Sequence, residues 1–186
     1  MVLRLEAGKR GELPETPKAG DELFRGVHNA IIGSNHVAAE AALRAARDAG
    51  FNASLLTTYL QGEARHAGPI LAAVLRQVAA SGQPLGRPAC LVAGGETTVT
   101  LKGKGLGGRN QELALSAVHE LAGLPSVALI ALATDGGDGP TDAAGAVVTG
   151  ETLGRARLLG LEPEKFLAEN AKKKGIEVLP SGLQYR

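Results

Sequence analysis

The chain has no tryptophan, a single methionine, a single cysteine and only 3% aromatic residues. So few aromatics leave few platforms on which bases stack, and a formal net charge of +1 offers no basic surface to hold a phosphate backbone. A nucleic-acid partner is therefore not expected. The lone Cys90, set in PACLVAGGE, makes neither an internal disulfide nor a zinc site by itself, and reads as a small buried strand residue. Long apolar runs are missing as well. No stretch of about 18 residues escapes charges or breakers, and the opening MVLRLEAGKRGELPETPKAG carries no signal-like apolar segment. The expectation is a soluble, cytoplasmic protein with no membrane partner. His28, His36, His66 and His119 form no HExxH or ligand cluster, and Ser34, Ser54 and Ser116 lack the G-x-S-x-G setting of a hydrolase nucleophile.

What is plentiful is glycine, 26 of 186 residues, placed as short punctuation and not in a three-residue period. With 44% hydrophobic and 21% charged residues, the chain reads as one globular α/β unit. Residues 1–22, rich in Gly, Pro and charge, read as a linker or extended arm, residues 23–165 as the α/β domain, and residues 166–186 as an atypical tail. VHNAII (27–32) is a candidate strand, followed by a helix that Ser34 or Asn35 caps and Gly50 ends. ASLLTTYL (53–60) is a strand, residues 63–81 a helix that tolerates Pro69 in its first turns, and PACLVAG a further strand. ETTVTL is a candidate fourth strand, NQELALSAVHELAG a helix closed by Gly123, and SVALIALAT (126–134) a central parallel strand covered on both faces. ETLGRARLLG and PEKFLAENAKKKG look helical, and IEVLPSGLQYR looks like a short strand followed by a turn. The fold class is α/β: three layers, a mostly parallel or mixed sheet with flanking helices, incomplete at its C-terminal edge.

Two motifs carry candidate chemistry. In GGETTVTLKGKGLGGRNQE (94–112) a glycine pair precedes Glu96, two threonines follow it, and GLGGRN then opens a helix at Arg109. Gly107, Gly108 and the helix start can present N–H groups to a phosphate or carboxylate, and Arg109 adds a planar fork of donors. The spacing is neither a Walker A loop nor a dinucleotide fingerprint. The alternative is a set of tight turns with a solvent-facing arginine. In TDGGDGPTDAAG, Thr134, Asp135, Asp138, Thr141 and Asp142 crowd the end of a strand, where an open α/β sheet places its ligand loops. Carboxylates held so close repel unless hydrogen bonds or a cation intervene, and Mg²⁺ with bound phosphate oxygens answers that need. The alternative is that Asp138-Gly139 makes a turn and Asp142 caps a helix. Asn35, on its loop, is either a polar ligand contact or a helix cap.

GVHNAIIGSN, FNASLLTTYLQGEAR, CLVAGGETTVTLKGKGLGGRNQELAL and ATDGGDGPTDAAGA, in this order over roughly residues 8 to 170, resemble the C-terminal, MOFRL-type half of the bacterial and archaeal glycerate 2-kinases, a family also labelled hydroxypyruvate reductases. The resemblance implies transfer of the γ-phosphoryl group of ATP to D-glycerate with Mg²⁺, in a cleft between two α/β domains. It implies Arg109 and Asp135 as catalytic residues. Glu96, Gly107, Gly108, Asn110, Asp138 and Asn35 are implied as nucleotide or substrate contacts, and Asp135 and Asp138 as the metal acids. The family's N-terminal domain, which supplies a lysine and much of the glycerate and nucleotide site, has no counterpart in these residues. Weak or absent activity by itself is therefore expected, and so is self-association through an uncovered edge; the alternative is a noncatalytic fragment or module that requires a separately encoded N-terminal domain. NAD-dependent hydroxypyruvate reduction is disfavoured, since no GxGxxG fingerprint is present. From Phe166 the chain departs from the family pattern, and LPSGLQY is similar to the segment preceding FKBP-type peptidyl-prolyl isomerase domains. None of that isomerase's aromatic pocket accompanies it.

Overall fold

The computed structural model describes residues 2–14, 16–102 and 105–161, and the backbone of 177–178 and 184–185. The chain divides into two units, Met1–Ser34 and Asn35–Arg186. In the first, helix α1 (Val2–Lys9) buries none of its residues. A 3-10 turn at Glu22–Phe24 is capped by the Asp21 side chain, which accepts from the Leu23 N–H at 3.1 Å. Part of the segment read as an arm is thus helical. The strand expected at 27–32 is not formed: these residues have no regular structure, and Ile31 and Ile32 are exposed. An apolar run becomes a strand only when a backbone edge takes its hydrogen bonds, and residues 27–32 make no ladder with any described strand.

The second unit starts with α2 (Asn35–Asp48), which ends before Gly50 at φ 87°. Strand β1 (Asn52–Leu60), helix α3 (Ala64–Ser81) and strand β2 (Ala89–Gly95) form a βαβ unit. β1 and β2 pair in parallel from Asn52 opposite Ala89 to Leu60 opposite Gly95, the helix providing the long crossover a parallel pair needs. Gly82 closes α3 in the left-handed conformation, its N–H donating to the Val78 carbonyl at 2.9 Å. The chain after β2 then runs beside the start of α3. The Glu96 N–H donates to Leu60 at 2.9 Å, Thr98 to Gly62 at 2.8 Å, and Ala64 back to Thr98 at 2.9 Å. ETTVTL is therefore not a fourth strand. It makes one bridge, at Glu63 and Thr98, because its neighbour turns into a helix there and the ladder has nowhere to continue.

Helix α4 (Arg109–Leu121), strand β3 (Ala128–Leu132), strand β4 (Gly145–Thr149) and helix α5 (Thr152–Leu158) complete the described domain. β3 was expected to be a central parallel strand. Instead it pairs antiparallel with β4, Ala128 opposite Thr149 and Leu132 opposite Gly145, and among the described residues it has no second neighbour. Its burial alternates: Leu129 and Ala131 face the core while Ile130 and Leu132 are exposed, as on a sheet with one covered face. β4 starts at the last residue of the acidic segment TDGGDGPTDAAG, where no strand was expected.

The core joins Ala64, Ala67 and Ala72 of α3 to Leu113, Ala114, Ala117 and Leu121 of α4, backed by Leu129, Val148 and Leu153. Gly68 lies where an added Cβ would collide with the Leu113 carbonyl oxygen and the Ser116 hydroxyl, so α3 and α4 approach at backbone distance. The α/β class and flanking helices are as expected, with β1–β2 parallel and β3–β4 antiparallel. At the tail, Glu177–Val178 (β5) and Gln184–Tyr185 (β6) pair antiparallel. The helix expected over PEKFLAENAKKKG lies outside the described residues. No helix among the described residues is long and apolar enough to cross a membrane.

Candidate functional site

α4 begins without a side-chain cap of its own, because its N-cap residue is Gly108. The missing acceptor comes from the β3–β4 loop. One Asp138 carboxylate oxygen accepts from the Asn110 N–H and from Asn110 Nδ2, both at 3.0 Å, and the other accepts from the Gln111 N–H at 2.8 Å. Gln111 Nε2 donates to the Asp138 carbonyl at 3.4 Å and to Thr141 Oγ1 at 2.9 Å, while the Thr141 hydroxyl donates to the Asp138 carbonyl at 2.7 Å. Asp138 is 1% exposed. Burial opposes its ionisation, but the N–H groups of Asn110 and Gln111, helped by their side-chain amides, outweigh that and hold the carboxyl below the usual range. The positive pole of α4 stabilises the same charge.

This contact is possible only because two glycines give way. A Cβ on Gly108 would overlap the Asp138 carboxylate, and one on Gly139, at φ 63°, would overlap the Gly107 carbonyl. The glycines read as a phosphate cradle thus let the acidic loop seat on the helix start. The anion held by the N–H groups of Asn110 and Gln111 is the protein's own.

In front of this joint lies an open cleft of about 790 Å³. Glu96, Thr97, Thr98 and Val99 form one side, Gly107, Gly108 and Arg109 another, and Gln61, Gly62, Leu101, Gly139 and Pro140 complete the lining. Arg109 Nη2 stands 3.6 Å from Glu96 Oε1, with side chains 41% and 75% exposed. That is a loose pair in high dielectric, of the kind worth about 0–1 kcal/mol. Nearby, Glu63 accepts from the Thr100 hydroxyl at 2.5 Å and its N–H at 3.3 Å, which holds its carboxyl below the ordinary range and pins the segment that carries Glu96.

Of the residues expected at a site, Glu96, Gly107, Gly108 and Arg109 meet in the cleft. Asn35 does not line it: its Nδ2 donates to the Thr58 carbonyl at 2.6 Å, and Gly94 leaves the space it needs. Asn110 and Asp138 lie behind the wall, engaged with each other. Asp135 is exposed, with Oδ1 accepting from the Gly137 N–H at 3.3 Å, and it does not line the cleft. Asp135 and Asp138 therefore do not fit a Mg²⁺ pair, since both Asp138 oxygens already hold N–H donors. Among the described residues no three His, Cys, Asp or Glu side chains gather as a metal site. Asp142 caps no helix either, because β4 follows it. Sequence reading missed Thr97 as a lining residue, although the threonine pair directly after Glu96 is a visible signal.

A βαβ unit whose loops meet an arginine-bearing helix start over an open cleft makes this an α/β domain with a cleft beside its strand ends. Residues 89–181 match the MOFRL family, and the chain belongs to that family. It is similar to the glycerate 2-kinase of Pyrococcus horikoshii, 46% identical over 169 residues that cover 90% of this chain and 38% of that protein. It is also similar to the D-glycerate 2-kinase of Thermotoga maritima, 44% identical over 165 residues, covering 89% and 39%. The crystal structure of a glycerate kinase from Thermotoga maritima superposes with a TM-score of 0.77 at 44% identity, over 87% of this chain and 38% of that one. The chain thus spans 38–39% of the length of these curated relatives. The family match runs past Phe166 to residue 181, into the stretch read as FKBP-like, of which the structure describes the backbone of 177–178 and 184–185.

Proposed function

We propose that the chain forms one wall of a glycerate 2-kinase active site, where the γ-phosphoryl group of ATP passes to the 2-hydroxyl of D-glycerate. The observation that carries this reading is Arg109: its helix start is fixed by the buried Asp138 cap, yet its guanidinium stands in the open cleft beside Glu96. In the reaction the hydroxyl oxygen bonds to the γ-phosphorus, the bond to the β–γ bridging oxygen breaks, the hydroxyl proton is released and ADP departs. Charge spreads over the equatorial phosphoryl oxygens, and a planar guanidinium aimed there stabilises it without reorganising. Glu96 holds the arginine extended until an anion takes its place. Mg²⁺ enters this reading as the nucleotide's own counter-ion, bound mainly by phosphates and water, so this wall needs no protein cage for it. Asp135 and Asp138 then act from outside, Asp138 by positioning α4 and Asp135 as an exposed loop acid.

Titrating the chain with ATP and with D-glycerate in a calorimeter tests the reading. Binding by the parent chain that Arg109→Ala abolishes is expected. No heat from either ligand sinks it.

A second reading, of a module that completes its site with another polypeptide, is favoured by the 38–39% coverage of the relatives and by the exposed apolar face of Ile130, Leu132 and Val147. Glycerate-dependent ADP release should then appear on mixing with a polypeptide carrying the remainder of the relatives' length. Neither complex nor activity on mixing would reject it. The same face supports self-association, and a concentration-independent monomer in sedimentation velocity would remove that part.

A further inference from the structure

Thr97 stands out among the cleft residues because it is 7% exposed and yet its hydroxyl makes no hydrogen bond to any described residue. Buried hydroxyls are normally satisfied, and leaving one without a partner is costly. Among the described residues, Arg65 Nε is the buried side-chain polar atom that is closed off from solvent without a hydrogen bond. The Thr97 hydroxyl therefore keeps an opening, and the residue's remaining surface is in the cleft wall. It sits between Glu96, whose N–H is tied to Leu60, and Thr98, whose N–H is tied to Gly62, so its backbone is held on both sides. A residue whose backbone is held so firmly, whose hydroxyl has no partner and which lines the same cleft as Arg109, suits a ligand contact better than a packing role.

We infer that Thr97 is a ligand-binding residue of the cleft, its hydroxyl donating to an oxyanion, carboxylate or phosphoryl, that Arg109 also holds. This rests on the ligand reading of the cleft given above and names a specificity residue within it. A hydroxyl that shares a cleft with a guanidinium favours an oxygen-rich anion over a simple halide, since it adds one directed donor to a charge. The two sources of such an anion are the substrate acid and the nucleotide.

The test titrates the full 186-residue chain separately with D-glycerate and with ATP, for the parent and for Thr97→Val, Thr97→Ser and Arg109→Ala, and records melting temperatures alongside. Thr97→Val should bind one ligand about tenfold more weakly, the usual scale for a lost hydrogen bond to a charged group. Its melting temperature should be equal or higher, because an unsatisfied hydroxyl has been replaced by a methyl group. Thr97→Ser should keep the affinity. The ligand that weakens identifies the carboxylate or the phosphoryl source. If Arg109→Ala loses binding while Thr97→Val does not, the role of Thr97 is overturned and the cleft reading survives. A lower melting temperature for Thr97→Val also overturns it, since the hydroxyl then serves the fold. If the parent binds neither ligand, the cleft reading and the role of Thr97 fall together.

Discussion

Glu96 and Asp138 carry the same local signature, an acid directly after two glycines at the end of a strand, GGE after β2 and GGD after β3. Glu96 keeps a side chain 75% exposed, with one loose contact to Arg109. Asp138 is buried beneath donors from Asn110 and Gln111. What separates them is the surface each loop lands on. The GGE turn meets open cleft, whereas the GGD turn meets a helix start whose own cap position is a glycine. A desolvated acid with satisfied oxygens belongs to the framework, and a solvated one with spare oxygens remains available for exchange.

The largest expected effect comes from destroying the buried side of this pair. Asp138→Ala leaves the first N–H groups of α4 without an acceptor inside the protein and should cost about 2–3 kcal/mol of unfolding free energy in urea. A change below 0.5 kcal/mol would mean that Asp138 is no more committed than Glu96. Gly108→Ala follows, because a methyl group placed against the Asp138 carboxylate should cost about 1–3 kcal/mol. Combined with Asp138→Ala it should cost less than the sum, since the collision partner is then gone. Full additivity would show that the two do not meet.

Acid titration gives the next effect. The folded carboxyl of Asp138 lies below its unfolded value. Its contribution is therefore complete above the ordinary aspartate range near pH 4 and is lost as pH falls through the folded value, where the unfolded chain takes up the proton first. The stability gap between the parent and Asp138→Asn should be flat from about pH 6 to 8 and shrink below about pH 4. A gap that widens on acidification would reverse the assignment. The smallest effect belongs to Glu96→Gln, which should stay within about 0.5 kcal/mol of the parent in urea.

Much of the helical framework is legible because its signals are local. Gly50 and Gly123 end the helices they punctuate, and the Ala and Leu spacing of α3 and α4 predicts the buried stripe that forms their joint. The strands are less legible. VHNAII and SVALIALAT look alike as apolar runs, yet the first has no strand and the second pairs with a segment concealed in an acidic, glycine-rich stretch. Pairing depends on a partner distant in sequence, and composition does not carry that. The site divides in the same way. Glu96 and Arg109 are readable as residues of one motif, whereas the capping of α4 crosses from the β3–β4 loop and replaces a cap that the local sequence does not supply. A search for Ser, Thr, Asp or Asn at the helix start finds Gly108 and stops there.

The close approach of α3 and α4 at Gly68 has a consequence for how the protein tolerates change. In most cores truncation is the damaging direction, because it opens a void. Along this seam of Gly68, Ala64, Ala67, Ala114 and Ala117 there is little left to remove, and even a single added methyl at Gly68 meets backbone. Mutational tolerance there should fall as side-chain size rises, with glycine alone accepted at position 68, glycine or serine accepted at the alanines, and every larger residue forcing the helices apart.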